Sequence, residues 1–324
     1  MTEKSKSAAS EAYGSSSIKV LEGLEGVRKR LDVVELFKKV KRQGDIIVLS
    51  RELKIRPRIL KSAVYEGRVL SFFPNINKSK APILASLRTD RELFLFSEKY
   101  DIYKTSARQL IKLVRQWNQE IQKNPFILIT QEEHDLFIGS LLGDASIRQR
   151  EKNSCFRVAH SIKQRQYINL KLNLLKNFII SEFEKRSRII NRRRVDMIYL
   201  STKTHSIFNY YRNLFYQNDK KVITKGILNQ INPRSLAYWI CDDGSFCNRQ
   251  RYIILCTNAY TLEEHNIMKE FFNKKFGLNP AIGFRDGKYY YLRFNQEDSK
   301  KLIEIIKAYI PECMRYKIGE IKNV

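Results

Sequence analysis

Two aspartates, Asp144 and Asp243, stand 99 residues apart, each where an apolar run stops: LFIGSLLGDAS at 136–146 and SLAYWICDDGSF at 235–246. The small residues four apart in each run, Gly139 and Gly143 in the first, Ala237 and Cys241 in the second, predict helices whose backbones pack unusually close. Such packing brings both carboxylates out side by side. Two carboxylates near positive charge are the donors that a hard cation such as Mg²⁺ takes, and Mg²⁺ commonly serves phosphodiester hydrolysis. Either run alone would be read as a buried helix ending in a solvated aspartate. The pairing points instead to a nuclease.

The composition supports that reading. The chain has 324 residues, enough for two or three domains. Lysine and arginine number 60 against 34 acids, a net charge of +26. A surface that basic, with 17 tyrosines interleaved, suits a polyanion, because neutralising phosphates releases counterions. Five cysteines, at 155, 241, 247, 256 and 313, form no CxxC pair and histidines number only 4, which argues against structural zinc. An odd cysteine count favours a reducing compartment, bacterial cytoplasm or an organelle, over secretion. With no run of about 18 apolar residues and no apolar signal core, no membrane role is expected.

Several elements must position the aspartates. Residues 1–30 are small and serine-rich before an amphipathic stretch. Residues 31–125 read as helical, with two similar units, 49–68 and 96–115, offset by 47: Leu49 matches Phe96, Ser50 Ser97, Ile55 Ile102, Lys61 Arg108 and Val64 Ile111. Each fits a helix-turn-helix with a basic second helix, Pro57 falling in the first turn where proline is tolerated; a plain helical spacer is the alternative. Beyond 126 the pattern is α+β. Phe156, Val158 and Ile162 alternate with Arg157, Ala159, Ser161 and Lys163, a strand with one buried and one basic face. A helix at about 165–183, a strand near 193–203 and a helix at 204–217 follow. The second half offers a strand at 252–260 and a helix at 261–277 opened by a Thr261/Glu264 capping box. Next come a hairpin at 281–294 turning on Asp286-Gly287, with Arg285 and Lys288 on the Tyr290/Leu292 side, and a helix at 297–309 ending before Pro311.

From 125 to 324 the chain resembles the single-chain, two-motif LAGLIDADG homing endonucleases. Phe137–Ala145 and Leu236–Gly244 fit the nine-residue motif, with Asp144 and Asp243 at its penultimate position; Ser146/Ser245 and Arg150/Arg249 recur at matching offsets. The second copy departs from the first, carrying Tyr238 and Trp239 where the first has Gly139 and Ser140, so the helix interface cannot be symmetric. The resemblance implies two αββαββα repeats, 126–231 and 232–324, forming a pseudo-twofold saddle over long double-stranded DNA sites, in a chain acting as a monomer. It implies Asp144 and Asp243 as metal ligands for Mg²⁺ or Mn²⁺. Lys221 and Lys317, in the basic segments Lys220-Lys221 and Tyr316-Lys317, are implied as catalytic lysines that stabilise developing charge or polarise water. Arg148, Arg150, Arg157, Lys163, Arg193, Lys203, Arg249, Arg285, Lys288 and Arg293 are the expected DNA contacts. Asp242 is left as a helix cap, a supporting partner or a solvent-facing residue.

The segment SSIKVLEGLEGVRKR resembles the extreme N-terminus of DNA gyrase B, and the likeness stops after Arg30. A short host fragment fused in frame to an endonuclease is what translation from an exon into an intron reading frame would give. An intein fits poorly, because residue 31 is Leu and the chain ends in Lys322-Asn323-Val324 without a His-Asn pair. The expected target is an uninterrupted gyrase B gene near the codons for Val27–Arg30. Two other functions compete: an RNA maturase that binds its own intron RNA, and a DNA-binding regulator without catalysis.

Overall fold

A computed structural model describes residues 32–40, 43–179, 184–190 and 193–320. The gyrase-like residues 1–30 lie outside them. The chain divides into two compact units at Trp117/Asn118.

The first unit is helical: α1 (Val33–Lys39), α2 (Gln43–Glu52), α3 (Pro57–Phe72), α4 (Ala81–Leu84), α5 (Asp90–Lys99) and the start of α6 (Ala107–Lys123). Pro57 opens α3, where its missing N–H costs nothing. Leu36, Ile46, Ile59, Leu60, Ala63 and Val64 form its first core. Buried Glu92 takes the Arg88 amide at 2.6 Å and the Trp117 indole N–H at 3.1 Å, tying α5 to α6. On α6, Leu110, Val114 and Trp117 are buried, while Arg108, Lys112 and Arg115 face outward.

The second unit repeats one plan twice. The first half runs α7 (Gln131–Leu142), β1 (Ser146–Gln149), β2 (Ser154–Ser161), α8 (Arg165–Leu174), β3 (Glu184–Ile190), β4 (Arg193–Ser201) and α9 (Ile207–Phe215). A short hairpin, β5 (Tyr216–Gln217) and β6 (Lys220–Lys221), and α10 (Lys225–Leu228) connect it to the second half. That half runs α11 (Pro233–Asp243), β7 (Gly244–Cys247), β8 (Tyr252–Leu255), α12 (Leu262–Phe276), β9 (Ala281–Arg285), β10 (Tyr289–Arg293) and α13 (Gln296–Ile306). The sheets have matching antiparallel orders, β1-β2-β4-β3 and β7-β8-β10-β9. The α+β reading and the repeat pattern therefore hold.

Some local expectations are corrected. The helix expected to 183 stops at Leu174, a 3₁₀ turn follows at Lys176–Phe178, and β3 occupies 184–190. The chain there, EKRSRII, carries too much charge to read as a strand; β4 supplies the ladder that holds it. The hairpin turn does use Asp286 and Gly287, both at positive φ (56° and 62°). Lys288 is a third loop residue, however, so Arg285 pairs with Tyr289. One extra residue changes the side on which each residue lies. Arg285 thus shares a face with Tyr289, Tyr291 and Arg293, not with Tyr290 and Leu292.

The motif helices α7 and α11 form the centre of this unit. Each begins with a reciprocal cap, Thr130 with Glu133 and Asn232 with Ser235. The Asn232 amide also donates to Asp135 on α7 at 2.7 Å, joining the helices near their starts. A Cβ added at Gly139 would lie 2.1 Å from the Ser235 carbonyl oxygen and 2.6 Å from Tyr238 Cβ; one at Gly143 would lie 2.6 Å from Asp242 Cβ. The two helices therefore run parallel, glycine against the larger residue at the matching motif position. Tyr238 and Asp242 meet the glycines, rather than Ala237 and Cys241. Gly139→Ala is expected to destabilise the protein by about 1–3 kcal/mol, because its nearest obstacle is backbone. At roughly 2–4 °C per kcal/mol for a unit of this size, calorimetry should show a clear fall in Tm. An unchanged Tm would contradict so tight a seam.

Candidate active site

The helices deliver the aspartates differently. The helix α7 ends at Leu142, Gly143 turns the chain, and Asp144 emerges with 41% of its side chain exposed. Asp243 is the last residue of α11 and is half-buried. Burial pushes its carboxyl up to about 8, with the nearby charges of Asp144 and Asp242 adding to the effect and Lys221 and Lys317 opposing it. The charge of Asp144 thus reaches Asp243.

Lys221 and Lys317 take matched positions. The Lys221 ammonium donates to the carbonyls of Gly143 at 3.2 Å and Ala145 at 2.7 Å, which flank Asp144. The Lys317 ammonium donates to those of Asp242 at 3.5 Å and Gly244 at 2.7 Å, which flank Asp243. Each cation therefore sits at the negative end of a motif helix and fixes the loop bearing its aspartate. The β5–β6 hairpin holds Lys221, turning on Asn218 and Asp219 at positive φ, while the Tyr216 hydroxyl accepts the Ile147 N–H at 3.0 Å. Lys317 lies on a 3₁₀ helix (Glu312–Ile318) closed by Gly319 at φ +79°, where any side chain would strike Phe246. Burial lowers Lys221 to about 8 against the pull of Asp243, Asp144 and Asp242.

Sequence reasoning missed the support beneath Asp144. Asp242 is buried, not solvent-facing. It receives the Tyr167 hydroxyl at 2.8 Å and the Lys171 ammonium at 2.8 and 3.0 Å. Lys171, fully buried, also donates to His160 Nε2 at 3.0 Å, and His160 Nδ1 lies 3.3 Å from Asp144 Oδ2. One sequence signal was available: His160 falls on the buried side of the Phe156/Val158 alternation, and a histidine there needs a partner. Gly143 admits Asp242, since a side chain at 143 would displace it.

Three ligand-type atoms, from Asp144, His160 and Asp242, lie within 4.8 Å of one another. Lys171 already neutralises Asp242, so that carboxylate is a weak metal donor. Asp144 and Asp243 fit a divalent cation better: Asp243 is desolvated beside like charge, and a cation relieves both penalties. The folded protein binds the Asp243 proton more tightly than the unfolded chain, whose carboxyl has an ordinary value near 3.8. The stability this contributes is complete below the unfolded value and lost as pH rises through about 8. Asp243→Asn should therefore gain Tm over the wild type between about pH 5 and about pH 9 in metal-free buffer. A Tm difference flat across that range would contradict the raised value.

The expected DNA contacts fall mostly on open surface. Arg148, Arg150, Lys163, Arg249, Arg285, Lys288 and Arg293 are exposed; Arg157 and Lys203 are half-buried. On the first sheet Arg157 lies over the Tyr199 ring at 4.6 Å and Arg186 at 5.6 Å. On the second, Arg293 lies over Tyr252 at 5.7 Å, and Tyr291 lies across Gly283. Arg193 pairs through its backbone with Ile190. Lys163 lies past the end of β2, on a 3₁₀ turn.

Residues 134–302, half of the chain, match the model of the LAGLIDADG DNA endonuclease family. The chain belongs to that family. It is 27% identical over 205 residues to the "Probable intron-encoded endonuclease 1" of Wickerhamomyces canadensis, covering 60% of this chain and 87% of that protein. It is 33% identical over 129 residues to the "Probable intron-encoded DNA endonuclease 3" of Mycosarcoma maydis, covering 38% and 94%. Among solved structures, the homing endonuclease I-WcaI bound to its DNA recognition sequence aligns at TM-score 0.55 and 27% identity, covering 60% of this chain and 88% of that one. As a LAGLIDADG protein, the chain carries both motif aspartates at the ends of packed helices. No helix among the described residues is long and apolar enough to cross a membrane.

Proposed function

We propose that this LAGLIDADG protein is an intron-encoded, site-specific endonuclease that cuts both strands of double-stranded DNA by metal-dependent phosphodiester hydrolysis. What supports the reading is that Asp144 and Asp243 end packed motif helices near enough for the charge of one to act on the other, each flanked by carbonyls that a lysine clamps. Asp144 and Asp243 would hold the divalent ion, Mg²⁺ or Mn²⁺, which when bound lowers the pKa of water and neutralises charge on the phosphate. Lys221 and Lys317 keep the aspartate loops in place and add positive charge where the phosphate oxygens gain negative charge. The open sheet faces, with Arg148 and Arg157 in one repeat and Arg285 and Arg293 in the other, suit phosphate and base-edge contacts in two unequal half-sites. Specificity is then spread over many contacts, each worth about 1–3 kcal/mol per base pair. The first unit adds contacts through Arg108, Lys112 and Arg115 of α6.

The target we propose is the uninterrupted gyrase B gene at the codons for Val27–Arg30. Plasmid carrying that sequence should be linearised in Mg²⁺ at that place; cutting elsewhere but not there rejects the target and leaves the nuclease. A second reading, assistance to splicing of the host intron, is favoured by 29% identity over 198 residues to the "Cytochrome b mRNA maturase bI2" of Debaryomyces hansenii. Binding to the intron RNA, measured beside cleavage, tests it.

A further inference from the structure

His160 is a buried imidazole whose two nitrogens face different partners. The Lys171 ammonium, in its salt bridge with Asp242, donates to Nε2 at 3.0 Å. An ammonium has donors only, so Nε2 must be the accepting nitrogen and the ring proton must be on Nδ1. That Nδ1 is buried, has no hydrogen-bond partner, and lies 3.3 Å from Asp144 Oδ2. Tyr167 completes the arrangement, its hydroxyl on Asp242 and its ring 4.4 Å from the Lys171 ammonium. We propose that His160, held in the Nδ1–H tautomer by Lys171 and Asp242, is a positioning residue that fixes the carboxylate of Asp144, and that this support serves only one of the two motif aspartates.

The asymmetry follows from the repeats themselves. His160 stands three residues beyond Arg157, the partner of Ser146; three residues beyond Ile254, the partner of Ser245, stands Thr257. The Thr257 hydroxyl is engaged with His265 Nε2 at 2.7 Å. At the spacing of Lys171 the second repeat has Met268, and opposite Asp242 the first motif has Gly143. At the matched positions, the half-site at Asp243 thus has Thr257, Met268 and Gly143 in place of the histidine, the lysine and the carboxylate. The consequence for cleavage, which rests on the proposed nuclease function, is that the two strands are cut with different dependence on His160.

Two measurements separate this inference from that function. Long-range ¹⁵N correlation spectra of the four histidines in the intact, metal-free protein should show His160 as the Nδ1–H tautomer. An Nε2–H tautomer, or a ring protonated on both nitrogens, overturns the proposal whatever the enzyme cuts. For the second, His160→Phe removes the N–H and His160→Asn keeps an amide N–H near the place of Nδ1. On supercoiled target DNA, His160→Phe should slow at least tenfold the strand that Asp144→Asn slows, so that nicked circles accumulate, and His160→Asn should restore most of that rate. Equal slowing of both strands, or no slowing, overturns the positioning role. If the wild type cuts no DNA at all, the nuclease reading fails, while the spectra still decide the tautomer.

Discussion

Asp144→Asn and Asp243→Asn should each abolish double-strand cleavage while DNA binding in Ca²⁺ survives. The amide keeps the size of the carboxyl but removes the charge that holds a divalent ion. A bound metal supplies several kcal/mol of stabilisation to phosphoryl charge, so the loss should reach about 10³-fold or more in rate at the affected strand. The variants should also differ from each other. Asp144 is exposed, whereas Asp243 is desolvated and raised to about 8. Removing the second charge also removes a folding penalty, so Asp243→Asn should be the more stable protein of the two. Double-strand cutting at the wild-type rate by either variant would overturn the assignment.

Lys171→Met should cost far more stability than an ordinary surface substitution, although methionine is what the second repeat carries at the matching place, Met268. The substitution leaves the buried Asp242 carboxylate with the Tyr167 hydroxyl as its remaining donor. Breaking one side of a buried ion pair typically costs about 3–5 kcal/mol, because the stranded charge has lost both water and partner. Calorimetry should record a fall in Tm of roughly 6–20 °C for a unit of this size. Adding Asp242→Asn to Lys171→Met should recover much of the loss by removing the stranded charge. A double variant no more stable than the single one would show that packing, rather than charge, sets the cost.

The parts of this molecule that were legible in sequence are those in which local pattern and tertiary requirement agree. The runs around Asp144 and Asp243 are apolar on every side, so each had to be a buried helix, and the glycines of the first marked a close partner. Thr261 with Glu264 and Asp286-Gly287 specify their own local geometry, and both formed. The β3 strand was not legible, because a charged segment becomes a strand only through its pairing with β4. Nor was the register of the last hairpin, where Lys288 as a third loop residue turned Arg285 to the other face.

Within the site, only the family resemblance marks the two lysines in the sequence, and their grip on the carbonyls around each aspartate is tertiary information. The Asp242–Lys171–His160 network was the least accessible. Its members come from a motif helix, the helix α8 and the strand β2, and each alone looked unremarkable: an acid beside a motif acid, one lysine among many, a histidine in a strand. Gly143, opposite Asp242, leaves the room that the Asp242 side chain takes.

The most direct test of the paired-aspartate site is to digest a DNA pool containing the uninterrupted gyrase B sequence in Mg²⁺ and to sequence the ends left by the wild type, Asp144→Asn and Asp243→Asn. The expected result is a discrete site with both strands cut by the wild type and no double-strand ends from either variant. Discrete double-strand ends from all three proteins alike would contradict it.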